Sequence, residues 1–244
     1  MYLFMGTYIT VVGPFAMLWT ALSGNSAVLY RLARLCIRTA GLISGIRVRI
    51  RGREKILPGI TYIFVSNHQS NCDGPVLSHA IPRDWAALVK REMMRLPVLS
   101  LVLKQVHFVP LERLNPKQAH AGIELGTDLL KGGKSFVAFP EGTRSRDGRL
   151  GEFKKGVFLM AIKAGVPIIP VTILNSAEIQ PPLHYGIKPG CIDVIFHDPI
   201  ETNGMTLEDR NRLVQLVRQA ISSALPEVSS QNSGIGSQNS EVAL

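Results

Sequence analysis

From residue 61 onward, short apolar runs rich in β-branched residues alternate with stretches of helical periodicity, a pattern that leaves a chain little choice of fold. The runs cover 61–65, 85–89, 106–109, 136–139, 168–173 and 192–196. Between them, 116–130 and 155–164 carry apolar residues at helical spacing, the second stopped by Gly165. Such alternation predicts an α/β fold, a mixed, mostly parallel central sheet flanked by helices. An alternating strand over 46–50 precedes the series, and a last helix over 207–224 places Leu213, Leu216, Val217 and Ala220 on one face. Residues 227–244, made largely of Ser, Asn, Gln and Gly, are expected to form a disordered tail. No internal repeat or long linker divides the chain, so 45–226 is expected to be one domain.

The first 44 residues read differently. Residues 2–22 are free of charge and largely apolar, and the first basic residue of the chain is Arg31. A secretory signal would carry positive charge ahead of its apolar run, so this segment does not fit one. Its length suits a bilayer span, but Gly13-Pro14 interrupts it and several threonines dilute it, so a re-entrant or interfacial hairpin is expected, with a true span as the alternative. Arg31, Arg34 and Arg38 then interleave with Leu32, Leu35, Ile37 and Leu42, a basic amphipathic pattern suited to an anionic membrane surface. Arg47, Arg49, Arg51, Arg53 and Lys55 extend that charge. The arginine flank places the body of the protein on the cytoplasmic face, by the positive-inside tendency. A plain helical pair covering the core is the competing reading of 1–44.

The formal charge of +9 and a mean hydropathy of +0.17 call for anionic partners and for some apolar surface that meets something other than water. Nucleic acid is not expected, because no recognition motif or aromatic platform accompanies the arginines. Three scattered cysteines, Cys36, Cys72 and Cys191, exclude a disulfide framework and a zinc site and suit a reducing compartment.

The chemistry concentrates at Asn67-His68-Gln69-Ser70-Asn71-Cys72-Asp73, between the strand 61–65 and a helix that begins near Asp73, itself a plausible N-cap. On one continuous helix, His68 and Asp73 would point roughly 140° apart. A turn instead can fold the carboxylate back onto the imidazole, fix its tautomer and support a general base. No serine or cysteine nucleophile is needed, because a substrate hydroxyl can be the group that loses the proton. A second constellation, Phe139-Pro140-Glu141-Gly142-Thr143-Arg144-Ser145, follows a strand and opens a loop that reaches Arg149. Exposed amides beside a guanidinium suit a phosphate, and Glu141 could align Arg144 or receive a substrate hydroxyl; a surface loop with an ion pair is the plainer reading. Arg113 follows the strand at 106–109, and 166–171 is apolar and bounded by prolines.

In this order these blocks resemble the glycerolipid acyltransferase superfamily, and within it the 1-acylglycerol-3-phosphate acyltransferases. His68 and Asp73 match the Asn-His-x4-Asp box, Arg113 the second box, 139–145 the third nearly letter for letter, and 166–171 the fourth. The resemblance covers roughly 45–200. It implies acyl transfer from acyl-CoA or acyl carrier protein, used as a co-substrate with no bound cofactor, to the 2-hydroxyl of lysophosphatidic acid. His68 would be the base and Asp73 its orienting carboxylate. Lys90, with Arg91 as the register alternative, would hold the acceptor phosphate together with Arg113 and Arg144, while Glu141, Gly142 and Thr143 shape the loop. The phospholipid membrane would be the partner surface. A relative that acylates another lysophospholipid or an amino-acid lipid stays open, as does a non-catalytic membrane-binding protein.

Three further readings carry less. Cys72 stands where the family commonly has, at one of two places, a bulkier residue, which raises a covalent acyl-enzyme as an alternative. The run 132–135 suggests a phosphate loop, but Asp128 replaces the required glycine, so a helix-ending turn is expected. No metal site is expected, since a metal-bound His68 could not act as a base.

Overall fold

The structure, a computed structural model, describes residues 1–95, 97–111, 116–145, 147–182, 184 and 186–226, without the side chains of 97–99, 111 and 116–119. Arg113 and the expected tail at 227–244 lie outside the described residues. The strands are β1 (Ile46–Arg51), β2 (Ile63–Ser66), β3 (Trp85–Lys90), β4 (Val109–Leu111), β5 (Ser135–Ala138), β6 (Ile168–Leu174) and β7 (Gly190–Phe196). They form one seven-stranded sheet in the order β1-β7-β6-β2-β5-β3-β4. Every neighbouring pair is parallel except β6 with β7. The α/β expectation therefore holds, with the mixed character confined to one ladder.

The helices are α1 (Tyr2–Ser23), α2 (Ala27–Ile43), α3 (Asp73–Ala80), α4 (Pro97–Gln105), α5 (Pro116–Lys131), α6 (Gly156–Ala164), α7 (Ser176–Ile179) and α8 (Arg210–Ser222). Strand alternation sends side chains to two faces, and each face has its own core. On one, Phe64, Val137, Ile169, Val171, Ile192 and Val194 pack with Val76, Leu77 and Ala80 of α3. On the other, Ile63, Val65, Phe136 and Ile168 pack with Val157, Phe158 and Met160 of α6 and Leu213 and Val217 of α8. Parallel strands covered on both faces explain why the central runs read as unbroken apolar stretches.

Three expectations need correction. Gly13-Pro14 does not interrupt the first segment: α1 runs through it as one helix of 22 residues, with Pro14 inside. The proline removes one N–H from the ladder, and the turn occurs instead at Gly24, whose φ of 66° takes the left-handed cap. Thr10 and Thr20 donate their hydroxyls to the carbonyls of Gly6 and Ala16 one turn back, so their polar groups are satisfied within the helix. The strand expected at 106–109 begins only at Val109, since Val106 still donates its N–H to Val102 at the end of α4. Asp73 is the first residue of α3 and not its N-cap, which is Cys72. As expected, 132–133 end α5, with Gly132 donating to the Asp128 carbonyl.

The two N-terminal helices form a hairpin anchored to the far edge of the sheet. The Tyr30 hydroxyl lies 2.5 Å from the Trp85 carbonyl and 3.0 Å from that of Val106, and Arg34 pairs with Asp84. Much of the apolar surface of α1 stays uncovered: Leu3, Val11, Phe15, Leu18, Trp19 and Leu22 are all more than half exposed. It is a helix long and apolar enough to cross a membrane.

After β1, Gly52 turns the chain with φ of 74°, and a Cβ there would collide with the backbone carbonyl oxygen of Phe196. Gly52→Ala should therefore lower stability by about 2 kcal/mol or more in chemical denaturation, with the midpoint shifted and the slope unchanged.

Candidate active site

The parallel strands β2, β5 and β3 all end at one edge of the sheet, and the conspicuous residues cluster there. The register pairs Val65 with Ala138 and Ala87 with Val137, so the residues after β2, those after β5 and Lys90 at the end of β3 stand at about the same level. An edge of this kind, outside the carboxyl ends of parallel strands, is the usual place for a site on an open α/β sheet.

Asn67 sets the direction of the turn. It is buried, its side-chain nitrogen donates to the Ile173 carbonyl at 2.9 Å, and its oxygen accepts from the Ile173 N–H at 2.8 Å. The side chain thus replaces the next backbone rung of the ladder and leaves His68 to leave the sheet. His68 Nδ1 lies 2.8 Å from Asp73 Oδ2, and the Asp73 side chain is fully buried while that of His68 is 22% exposed. The same carboxylate oxygen accepts the N–H groups of Gln69 at 2.7 Å and Ser70 at 2.8 Å. Nδ1 faces a carboxylate oxygen, which directs the other ring nitrogen, Nε2, away from Asp73. The Phe139 ring stacks on the imidazole with centroids 4.1 Å apart. A ring held at its edge and on its face has little freedom to turn.

Glu141 does something the sequence reading missed. Its Oε1 accepts the His68 N–H at 3.0 Å, and its Oε2 accepts the Gly151 N–H at 2.9 Å. It does not pair with Arg144; it is largely buried between two backbone segments. Burial pushes its carboxyl up from the ordinary range, against the opposing pull of the two N–H donors and of His68 and Arg218. Ser145 returns the contact by donating its N–H to the His68 carbonyl at 2.8 Å. Gly142, at φ of 74°, donates to the Phe139 carbonyl and makes the tight turn that permits this reversal.

Arg144 donates to Asn71 Oδ1 at 2.8 Å, which puts the guanidinium over the interior of the His-Asp turn. The two boxes therefore share one surface. Thr143 is exposed and helps to line a cavity of about 710 Å³ with Glu141, Ser145, Arg149 and Lys154; neither His68 nor Arg144 lines it. Lys90 is exposed at the same edge, two strands from β2, or ~10 Å at the usual strand spacing. Arg91 follows it at the start of a 3₁₀ turn.

Cys72 points away from the imidazole. Its thiol donates to Gln180 Oε1 at 3.1 Å, and burial raises its pKa. A protonated thiol engaged elsewhere is not a nucleophile waiting for His68. Gln180 was not conspicuous in the sequence, yet its carbonyl also accepts the Ser70 hydroxyl at 2.8 Å. Only the spatial return of the chain after β6 could reveal it.

A histidine–carboxylate pair on a turn at the carboxyl edge of a mixed sheet, with an arginine folded over it, is an arrangement able to support a general base beside a cation. The family model described as Acyltransferase matches residues 47–174, more than half the chain, and the chain belongs to that family. It is 37% identical over 171 residues to the chloroplastic 1-acyl-sn-glycerol-3-phosphate acyltransferase BAT2 of Brassica napus, covering 68% of this chain and 49% of the relative. To LPAT1 of Arabidopsis thaliana it is 36% identical over 156 residues, with 63% and 44% covered. The chain thus spans about half the length of these plant relatives. The crystal structure of the LPA acyltransferase PlsC from Thermotoga maritima superposes with a TM-score of 0.77 at 24% identity, covering 94% of this chain and 96% of that one, which establishes the shared fold.

Two outcomes check this geometry. Cys72→Ala should retain most of the activity, and a near-total loss in a folded protein would show that the thiol takes part. For Glu141, a folded-state pKa above the unfolded value means that its contribution to stability is present at low pH and is lost as pH rises through the raised value. Against Glu141→Gln, the wild type should therefore lose relative thermal stability as pH increases. The amide would still lower activity, since its nitrogen must face one of two backbone N–H groups.

Proposed function

We propose that this protein is a 1-acyl-sn-glycerol-3-phosphate acyltransferase, moving a fatty acyl group from acyl-CoA or acyl carrier protein to the 2-hydroxyl of lysophosphatidic acid. The observation that carries the reading is the 2.8 Å contact of His68 Nδ1 with the buried Asp73 carboxylate, which directs Nε2 away from that carboxylate on a ring that is 22% exposed. His68 Nε2 takes the hydroxyl proton as the acceptor oxygen attacks the thioester carbonyl. The C–O bond forms, the C–S bond breaks, and the departing thiolate receives the proton from the imidazolium. Asp73 holds the ring and supports its transient charge.

Arg144 and Lys90 are the acceptor-phosphate ligands, with Arg113 assigned to the same task by its place in the second box. A phosphomonoester carries up to two charges and rewards several convergent cations. The activity for which the two plant relatives are named supports this acceptor. The uncovered apolar face of α1 supports a body held at a membrane, where the lipid acceptor resides, and the arginine flank of α2 supports its cytoplasmic face. Residues 1–44 are the membrane-associated segment and 45–226 the catalytic domain in this reading.

The test is acyl transfer by the purified protein in liposomes, offering lysophosphatidate beside other lysolipids with both donor types. Turnover of lysophosphatidate is expected, and turnover of another lysolipid alone would reassign the acceptor. His68→Ala should lower kcat about 10²–10⁴-fold without loss of liposome binding. An undiminished rate in that variant would refute the base assignment.

A further inference from the structure

Positive charge is concentrated in one part of this chain. Between residues 31 and 55 stand eight arginines and lysines against a single acid, Glu54, a surplus of seven out of the whole chain's nine. Three of the eight are matched by carboxylates from elsewhere: Arg34 by Asp84, Arg49 by Asp193 and Lys55 by Asp198. Among the described residues, Arg47 has no carboxylate within ion-pair reach, and Arg51 reaches only an oxygen 3.9 Å away that Arg49 already holds at 2.8 Å.

The fold arranges the middle of this stretch into a row. β1 is the terminal strand of the sheet. Ile46, Val48 and Ile50 turn inward onto the core beneath α3, so alternation sends Arg47, Arg49 and Arg51 to the opposite face, where all three are exposed. Helix α2 contacts both α3 and β1 from the inward side. The apolar hairpin and the arginine row thus lie on opposite faces of the sheet, and a bilayer that takes up the hairpin is not the surface the row meets. Arg49 is the fixed member: it grips Asp193, itself 5% exposed, with two nitrogens at 2.8 and 2.9 Å while most of its own surface stays open. What fits a single-sign row on the aqueous side is an acidic macromolecule.

We propose that Arg47, Arg49 and Arg51 form the docking surface for an acidic carrier protein that delivers the acyl thioester, an inference that rests on the acyltransferase reading and names its donor. Position supports it. β1 runs parallel to β7 and β7 antiparallel to β6, so Arg47 at the start of β1 stands at the same sheet edge as His68. The row is three strands from β2, ~14 Å at the usual spacing, a gap that a flexible thioester arm spans while its protein stays on the arginines.

The experiment compares the same acyl chain on CoA and on acyl carrier protein, with lysophosphatidate in liposomes, for the wild type and the double variant Arg47→Glu/Arg51→Glu. Arg49 is kept because its loss would strand Asp193. Acyl-carrier-protein turnover should fall about tenfold or more through KM, and the wild type's turnover with that donor should weaken with added salt. Turnover with acyl-CoA should stay within about twofold, which also shows that the variant folds. Equal loss with both donors, loss of binding to phosphatidylglycerol vesicles, or no change with the carrier protein would each overturn the docking surface. A wild type active with acyl-CoA but inert with the carrier protein would do so too. A wild type inert with both would refute the acyltransferase reading itself.

Discussion

The Glu141 carboxylate ties together the two segments on which this site depends. One oxygen receives the N–H of His68 from the turn after β2, and the other receives that of Gly151 from beyond the loop after β5. Neither segment has regular secondary structure at that point, so each carries backbone groups that the sheet ladder does not satisfy. A buried acceptor with two oxygens meets both needs at once. The cost is an ion kept out of water, visible as a carboxyl pKa raised by burial. The gain is that the imidazole and the loop after β5 cannot drift apart.

Asp73 performs a similar service inside the turn. It gathers the Gln69 and Ser70 N–H groups and the His68 ring on one oxygen, so the orientation of the base and the shape of the turn are the same interaction. Phe139 closes the ring's free face, and Asn71 carries Arg144 across from the neighbouring loop. Imidazole and guanidinium thus become parts of one rigid surface, the kind of preorganisation that holds reacting groups in a fixed geometry. The sheet beneath supplies the rigidity: the strands that end here are buried on both faces.

Much of the architecture was legible because its signals are local. Apolar runs, Gly165 and the glycines at 132–133 mark strands and helix ends through backbone preference alone. The short strand β4 was misplaced because Val106 is apolar enough for either a helix end or a strand. Helix α4 lies in a region where no clear period separates helix from loop. Pro14 misled because a proline signals a break, whereas a long apolar helix tolerates one lost hydrogen bond when its neighbours keep theirs. In the site, His68 and Asp73 were readable as a pair since five residues and one turn connect them. The bond of Glu141 to His68 and the role of Gln180 were not, because they join groups 73 and 108–110 residues apart.

By itself the sequence determined the order of strands and helices, the chemical types gathered in each box, the apolar and arginine-rich start, and the histidine–aspartate pair, all of them matters of near neighbours along the chain. The tertiary structure alone decided that β2, β5 and β3 end at one edge, that Glu141 is a clamp, and that Cys72 turns away from the base. It alone placed three arginines of β1 on the face opposite the apolar hairpin. Those outcomes depend on which strands lie side by side and on which atoms lose contact with water, and spacing along one chain encodes neither.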